Sequence, residues 1–411
     1  MTMIQLPCIR LALILIAYNS VFAPCRAESP RLLYALHCPV NVPANQFGYS
    51  MAGFGKELLI GGSEDDTGAK DAGSVYVFDP ATGNVRLTIH NPAPARNDHF
   101  GDTVGVVAGN LVVGCPPHNS GAEFAGAGFI YDGKTGAPLK TLQLPKPLQY
   151  AHLGCAVAIS EKKIVLGAYG EGTGLAGAGS AFVFDGDPSS PKFGEVVLTL
   201  HNPAPGPGAN FAYSVAATES TIVVGAPRNN TGARKAGDAY QFDAATGKLL
   251  NSLHNPVPKA GDQFGYSVAA NKKWILVGAP LEDSGATDAG SVYLFDARDG
   301  KILSTIHHPE PAENDHFGNA VAFVGNDLVI GAELNDTGAQ DVGAVYVFGP
   351  DGKLLSKIAN PEPKGSSAFG HFVGSFGDRI LVGAPSSNQG PRNPGTAYVF
   401  ESPKPKSKEA K

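Results

Sequence analysis

The chain has 411 residues and a formal charge of −6, from 31 Lys and Arg against 37 Asp and Glu. With no basic stripe in its folded part it does not suit coating nucleic acid, and its 52 Gly and 32 Pro follow no three-residue period, which excludes collagen. A hydrophobic fraction of 43% is enough for a large core, and with so many turn-formers that core is expected to be built of strands.

Residues 1–27 read as a secretory signal. Arg10 precedes the apolar run Leu11 to Ala23, which is short for a bilayer span, and cleavage is expected after Ala27 or Ala23. No later segment approaches 18 consecutive apolar residues, so the mature chain is expected to be secreted, or periplasmic and surface-held, without inserting into a membrane. Cleavage leaves Cys38, Cys115 and Cys155, an odd number that allows one intramolecular disulfide and a spare thiol, with the pairing open. There is no CxxC, and no Cys/His spacing suited to zinc. The last residues, 403–411, carry Lys404, Lys406, Lys408 and Lys411 and read as a solvated, disordered tail.

Between these ends one unit recurs seven times. A phrase beginning FGYS at Phe47 returns at Phe100, Leu153, Phe211, Phe264, Phe317 and Phe369, at spacings of 53, 53, 58, 53, 53 and 52. Each unit then repeats LLIGGS (Leu58 to Ser63), AGSVYVFD (Ala72 to Asp79) and an outer stretch such as VRLTIHNP. These are short runs of branched and aromatic residues bounded by Gly, Pro, Asn or Asp, the mark of strands between tight turns. Four strands in each of seven units predict an all-β fold, a seven-bladed β-propeller. The seventh unit lacks its fourth strand. RLLYALHCPV (Arg31 to Val40) aligns without gaps on KLLNSLHNPV (Lys248 to Val257), so the N-terminal strand is expected to close the ring. Leu32, Tyr34 and Leu36 are expected on one of its faces, with Leu33 and Ala35 on the other. Residues 28–402 are thus expected to be one domain, in which 31–40 completes the last blade.

With its phrases aligned, the chain resembles the FG-GAP repeat family, the propeller type at the head of integrin α subunits and in many exported bacterial proteins. The resemblance rests on FG at Phe47, Phe100, Phe264, Phe317 and Phe369, on GAP at Gly225, Gly278 and Gly383, and on the tyrosines Tyr76, Tyr240, Tyr293, Tyr346 and Tyr398. Calcium-binding members carry a DxDxDG-type loop between the FG and GAP strands. Here the connection is a short hairpin without three alternating carboxylates, so no calcium, no other metal and no cofactor is expected.

Three recurrent groups are candidates for chemistry. Loop carboxylates Asp66, Asp71, Asp283, Asp288, Asp336 and Asp341 fit Asx-type turns. The strand-end histidines His37, His90, His201, His254 and His307 fit turn caps. The residues just before the FG phrase are Gln46, His99, His152, Asn210, Gln263, His316 and Ala368, and they are expected to ring the channel mouth. Within this collar Asp98, His99, His152, Asp262, Asp315 and His316 are the candidate ligand-binding residues. No GxSxG, HExxH or phosphate-cradling loop occurs. The reading is therefore an exported, non-enzymatic binding or adhesion propeller whose loop face docks an extracellular protein or glycan, with no nucleic-acid partner. The alternative is an enzyme acting on an extracellular polymer at the channel mouth.

Overall fold

A computed structural model describes residues 30–40, 45–172, 175–387 and 394–403. The expected secretory signal, and the tail beyond Pro403, lie outside the described residues. Among the described residues twenty-eight strands form seven antiparallel sheets of four. Blade 1 runs through Phe47–Phe54, Glu57–Gly62, Ser74–Asp79 and Asn84–His90. Blades 2 to 6 follow in the same order over 103–142, 157–201, 214–254, 267–307 and 317–359. The middle two strands of each blade are apolar on both faces because each is sandwiched between neighbouring blades, and ILVGA and SVYLF are buried almost throughout. Among the described residues no helix is long and apolar enough to cross a membrane.

Blade 7 has Phe372–Phe376, Arg379–Ala384 and Thr396–Glu401, and its outer place is filled by the N-terminal strand Leu32–His37. Leu36 lies opposite Ala397 and His37 opposite Thr396, so the ring closes as the repeat alignment expects. The facing of that strand differs from simple alternation. A register shift between Leu32 and Tyr34 turns Leu33, Tyr34 and Leu36 toward the core between blades 7 and 1, while Ala35 joins the core between blades 6 and 7. Leu32 is left 38% exposed. The same kind of shift interrupts every outer strand pair, at Val77/Phe78 in blade 1 and Leu294/Phe295 in blade 5, for example. Such bulges twist the exposed edge away from flat pairing with another chain.

The glycines of the three phrases interlock the blades. A Cβ on Gly278 would lie 2.1 Å from the carbonyl oxygen of Gly318 in the next blade, and one on Gly290 would lie 2.1 Å from that of Phe317. The same contacts recur around the ring and end on blade 1, where Gly383 meets the Gly48 carbonyl and Gly395 meets Phe47. Each FG aromatic is clasped from behind: the Phe264 N–H donates to the Ala236 carbonyl at 2.8 Å, and the Phe47 N–H donates to Pro394 at 3.0 Å across the seam. GAP needs its glycine because the neighbouring backbone occupies the space of a side chain.

Candidate functional site

The chain enters each inner strand through a fixed turn. All seven residues before the FG phrase adopt a left-handed backbone, with φ between 51° and 57°, though none is glycine. The residue after FG then begins the wall of the central channel. On the loop face this channel opens into a cavity of about 550 Å³ lined by residues of all seven blades. Four side chains at this position are aromatic or imidazole, namely Tyr49, Tyr213, Tyr266 and His371, and Asp102 takes the same place in blade 2. The position after the GA of the second phrase also faces the mouth. There the proline is replaced in blades 1, 3 and 6, by Ser63, Tyr169 and Glu333, and the last two line the cavity.

The mouth divides by chemistry. Blades 3, 4 and 5 present aromatic rings in series, with His152 stacked on Tyr169 at 4.9 Å, Tyr169 5.8 Å from Tyr213, and Tyr213 5.0 Å from Tyr266. The Tyr213 hydroxyl donates to that of Tyr266 at 3.2 Å. Blades 6, 7 and 2 present acids and imidazoles, with Tyr49 of blade 1 between them. His371 Nδ1 is 2.6 Å from Glu333 Oε2, and its ring packs 4.6 Å from that of Tyr49. His316 Nδ1 is 3.9 Å from Glu333 Oε1, and His99 Nδ1 is 3.9 Å from Asp102.

The two carboxylates are driven apart. Burial pushes Asp102 up to about 6, against the opposing pull of His99 and a hydrogen bond from Ser63. Burial acts the same way on Glu333, but His316 and His371 outweigh it and hold that group at about 2. The charge of Asp102, followed by burial, raises the Tyr49 hydroxyl well above its ordinary value, with Glu333 adding to the effect.

The six collar candidates fall into two sets. His99 and His152 line the cavity, and His316 reaches Glu333 at its edge. Asp98, Asp262 and Asp315 point the other way, into buried turns between blades. Asp98 accepts from Asn91 and from the Ala95 N–H, both at 2.8 Å, and Asp262 accepts from Asn255 at 2.9 Å and the Lys259 N–H at 2.7 Å. Asp315 accepts from the Ala312 N–H at 2.6 Å and from Asn335 at 2.9 Å. Burial lifts Asp262 to about 6. The loop carboxylates have turn partners as well: Asp66, Asp283 and Asp336 each accept the backbone N–H five residues on, at 2.8 to 3.1 Å. His90, His201 and His307 contact the first serine of the neighbouring strand, and His254 contacts Asp238 at 2.6 Å. Cys38, Cys115 and Cys155 are all unpaired thiols.

A second opening of about 1170 Å³ lies on the opposite, hairpin face at the seam of blades 7 and 1. Its Arg379 stacks 5.8 Å from both Tyr34 and Phe376, contacts within blade 7.

Sequence reasoning found the collar histidines and missed Tyr49, Asp102, Tyr169, Glu333 and His371. Their signal lay in departures from the repeat: the variable residue after FG and, for Tyr169 and Glu333, the replaced proline of the GAP phrase.

Comparison with known proteins agrees with this architecture. The FG-GAP repeat model matches residues 204–242, 252–295 and 304–348. Integrin alpha-11 of Homo sapiens is 27% identical over 164 residues, and that of Mus musculus 29% over 163. In both cases the alignment covers 34% of this chain and 13% of the integrin. The chain is a seven-bladed β-propeller that carries FG-GAP repeats and is related, at low identity, to integrin alpha.

Proposed function

We propose that the protein is an exported, non-enzymatic binding or adhesion module that docks an extracellular protein or glycan through its loop face, at the mouth of the channel. The observation that carries this reading is the divided mouth, with Tyr169, Tyr213 and Tyr266 in series on one arc and Glu333, Asp102, His371, His99 and Tyr49 on the other. Tyrosine rings offer rigid apolar area with a polar tip, and carboxylates accept hydrogen bonds from sugar hydroxyls or basic side chains. Kinship with integrin alpha supports a binding role outside the cell. The test is a glycan and extracellular-protein array probed with the full chain, repeated with Tyr213→Ala and Glu333→Gln. A ligand of this site loses roughly tenfold or more in affinity with either variant and is indifferent to Asp66→Asn in the outer loops. A ligand held equally well by both mouth variants would place docking elsewhere.

One observation favours catalysis on an extracellular polymer as a second reading. Asp102 and Glu333, which both act on the Tyr49 hydroxyl, are pushed in opposite directions, as acid and base partners are. Polysaccharide turnover abolished by Glu333→Gln would favour it, and no turnover on a broad polymer panel would remove it.

A further inference from the structure

Junctions between blades are closed by a small polar clamp, except at blade 3, where the apolar Leu144 and Ala151 take two of its three places. It joins the NP phrase of one blade, the residue two before the next FG aromatic, and the third residue after the GA of the second phrase. In blade 5 these are Asn255, Asp262 and Glu282, and in blade 6 they are His308, Asp315 and Asn335. Blade 2 departs from the pattern twice in one place. Cys115 stands where the other blades have Gly62, Ala168, Ala226, Ala279, Ala332 and Ala384. His118 stands where they have Asp65, Glu171, Asn229, Glu282, Asn335 and Ser387. With Asp98 these two substitutions bring a carboxylate oxygen, a thiol sulfur and an imidazole nitrogen within 4.8 Å of one another, and among the described residues this is the one such group of three.

We propose that Asp98, Cys115 and His118 bind a divalent transition-metal ion, with zinc the best match. The donor set joins a hard carboxylate to a borderline imidazole and a soft thiolate, and the thiolate and imidazole favour zinc over calcium or magnesium. Tetrahedral zinc, at bonds of about 2.0–2.3 Å, holds its donors roughly 3.3–3.7 Å apart. His118 Nδ1 is already 3.1 Å from Asp98 Oδ2, so the ion needs only small side-chain shifts to enter between them. The outer contacts are also built. Asn91 and the Ala95 N–H hold the Asp98 carboxylate, and Phe129 backs the His118 ring edge-on at 5.8 Å. Cys115 is fully buried and Asp98 nearly so, while the His118 side chain keeps 16% of its surface exposed and marks the way in. On binding, the Cys115 S–H, which now donates to the Asp98 carbonyl at 3.0 Å, gives up its proton to solvent. The Asp98–His118 hydrogen bond is replaced by two bonds to the metal: the proton on His118 Nδ1 leaves to solvent and the neutral ring carries its proton on Nε2 instead. Burial raises this thiol well above its ordinary value, and the ion's charge is what offsets that. Three protein donors leave the fourth position to water. Cys115 and His118 are close in sequence, in Cys-Pro-Pro-His, but the third donor, Asp98, comes from the turn that enters the blade and is brought to them only by the fold.

The test uses the full chain, reduced, stripped with chelator, and reloaded with zinc alone or cobalt alone. Expected are one zinc per chain, a rise in melting temperature on zinc addition, and a thiolate-to-metal absorption band with cobalt. Cys115→Ala and His118→Asn restore residues that other blades already hold at those positions, so each should melt cooperatively like the parent. Each should bind zinc weaker by roughly 100-fold or more and lose the cobalt band. Either variant decides the matter alone. A parent chain that retains no zinc, or variants that retain it equally, would overturn the proposal.

Discussion

Asp102 and Glu333 share one cavity and respond to acid in opposite ways. Asp102 titrates near 6 in the folded chain and near 3.8 when unfolded, so folding favours its protonated form. Its contribution is fully present below pH of about 4 and is lost as pH rises to about 6, a change of about 3 kcal/mol at 1.36 kcal/mol per unit. Asp102→Asn should therefore remove part of the gain in stability on acidification from neutral pH. Chemical denaturation at several pH values measures this, and an unchanged slope would show that the carboxylate is solvated. Glu333 is depressed, so its contribution holds above its unfolded value of 4.5 and is lost only as pH falls through about 2. Among the glycines, Gly278→Ala would set a Cβ 2.1 Å from the Gly318 carbonyl, at an expected cost of about 3 kcal/mol or more. Gly206→Ala meets nothing within 4 Å and should be neutral or slightly stabilising. Thermal melts of the pair check the interlock. Single residues were also where the sequence was hardest to read. Adjacent positions such as Asp98 and His99 look equivalent in a one-dimensional collar. The left-handed turn at His99 sends one into the blade junction and the other toward the channel. Asp102 and Glu333 have no phrase of their own, because a repeat conserves packing and lets the channel wall vary.

At the scale of elements, the four strands of every unit were legible, because both-sided burial writes uninterrupted apolar runs and each hairpin carries its own turn residues. The bulge was not, since one inserted outer-strand residue leaves no compositional mark. It is the reason Leu33 rather than Leu32 packs inward in the closing strand. Leu36, 4% exposed, anchors that strand, and Leu36→Ala should cost about 2–5 kcal/mol. The exposed Arg31–Glu401 pair, at 2.6 Å, should matter little, and Arg31→Ala should leave the melting temperature unchanged. A chain beginning at Val42 would leave Thr396–Glu401 as an unpaired edge and should aggregate or unfold. A soluble, cooperatively melting Val42 chain would mean that the ring is closed some other way.

The whole molecule should unfold as one unit, because every blade is clasped on both sides. The sole tryptophan, Trp274 in blade 5, packs on Phe323 of blade 6, so its fluorescence should lose native signal together with the far-UV dichroism. Separated transitions would reveal blades that melt independently. The FG-to-GAP hairpins have two or three residues between strands, too few for a cage of six to eight oxygens. Added calcium should leave the melting temperature in place, whereas a site filled at a hundred times its Kd would add about 2.7 kcal/mol.

The clasp between blades has unlike sides. Each unit carries a socket, formed by the GAP glycine and the glycine before the tyrosine strand, and a plug, formed by its own FG turn. Such a joint is heterologous, and nothing in it counts to seven. A run of units keeps adding until the rotation from one to the next completes a circle. A fragment of three or four blades would therefore expose one socket and one plug and recruit the missing arc from another chain. Two complementary fragments should rebuild the ring without a covalent link, and surplus copies of either one should grow head to tail.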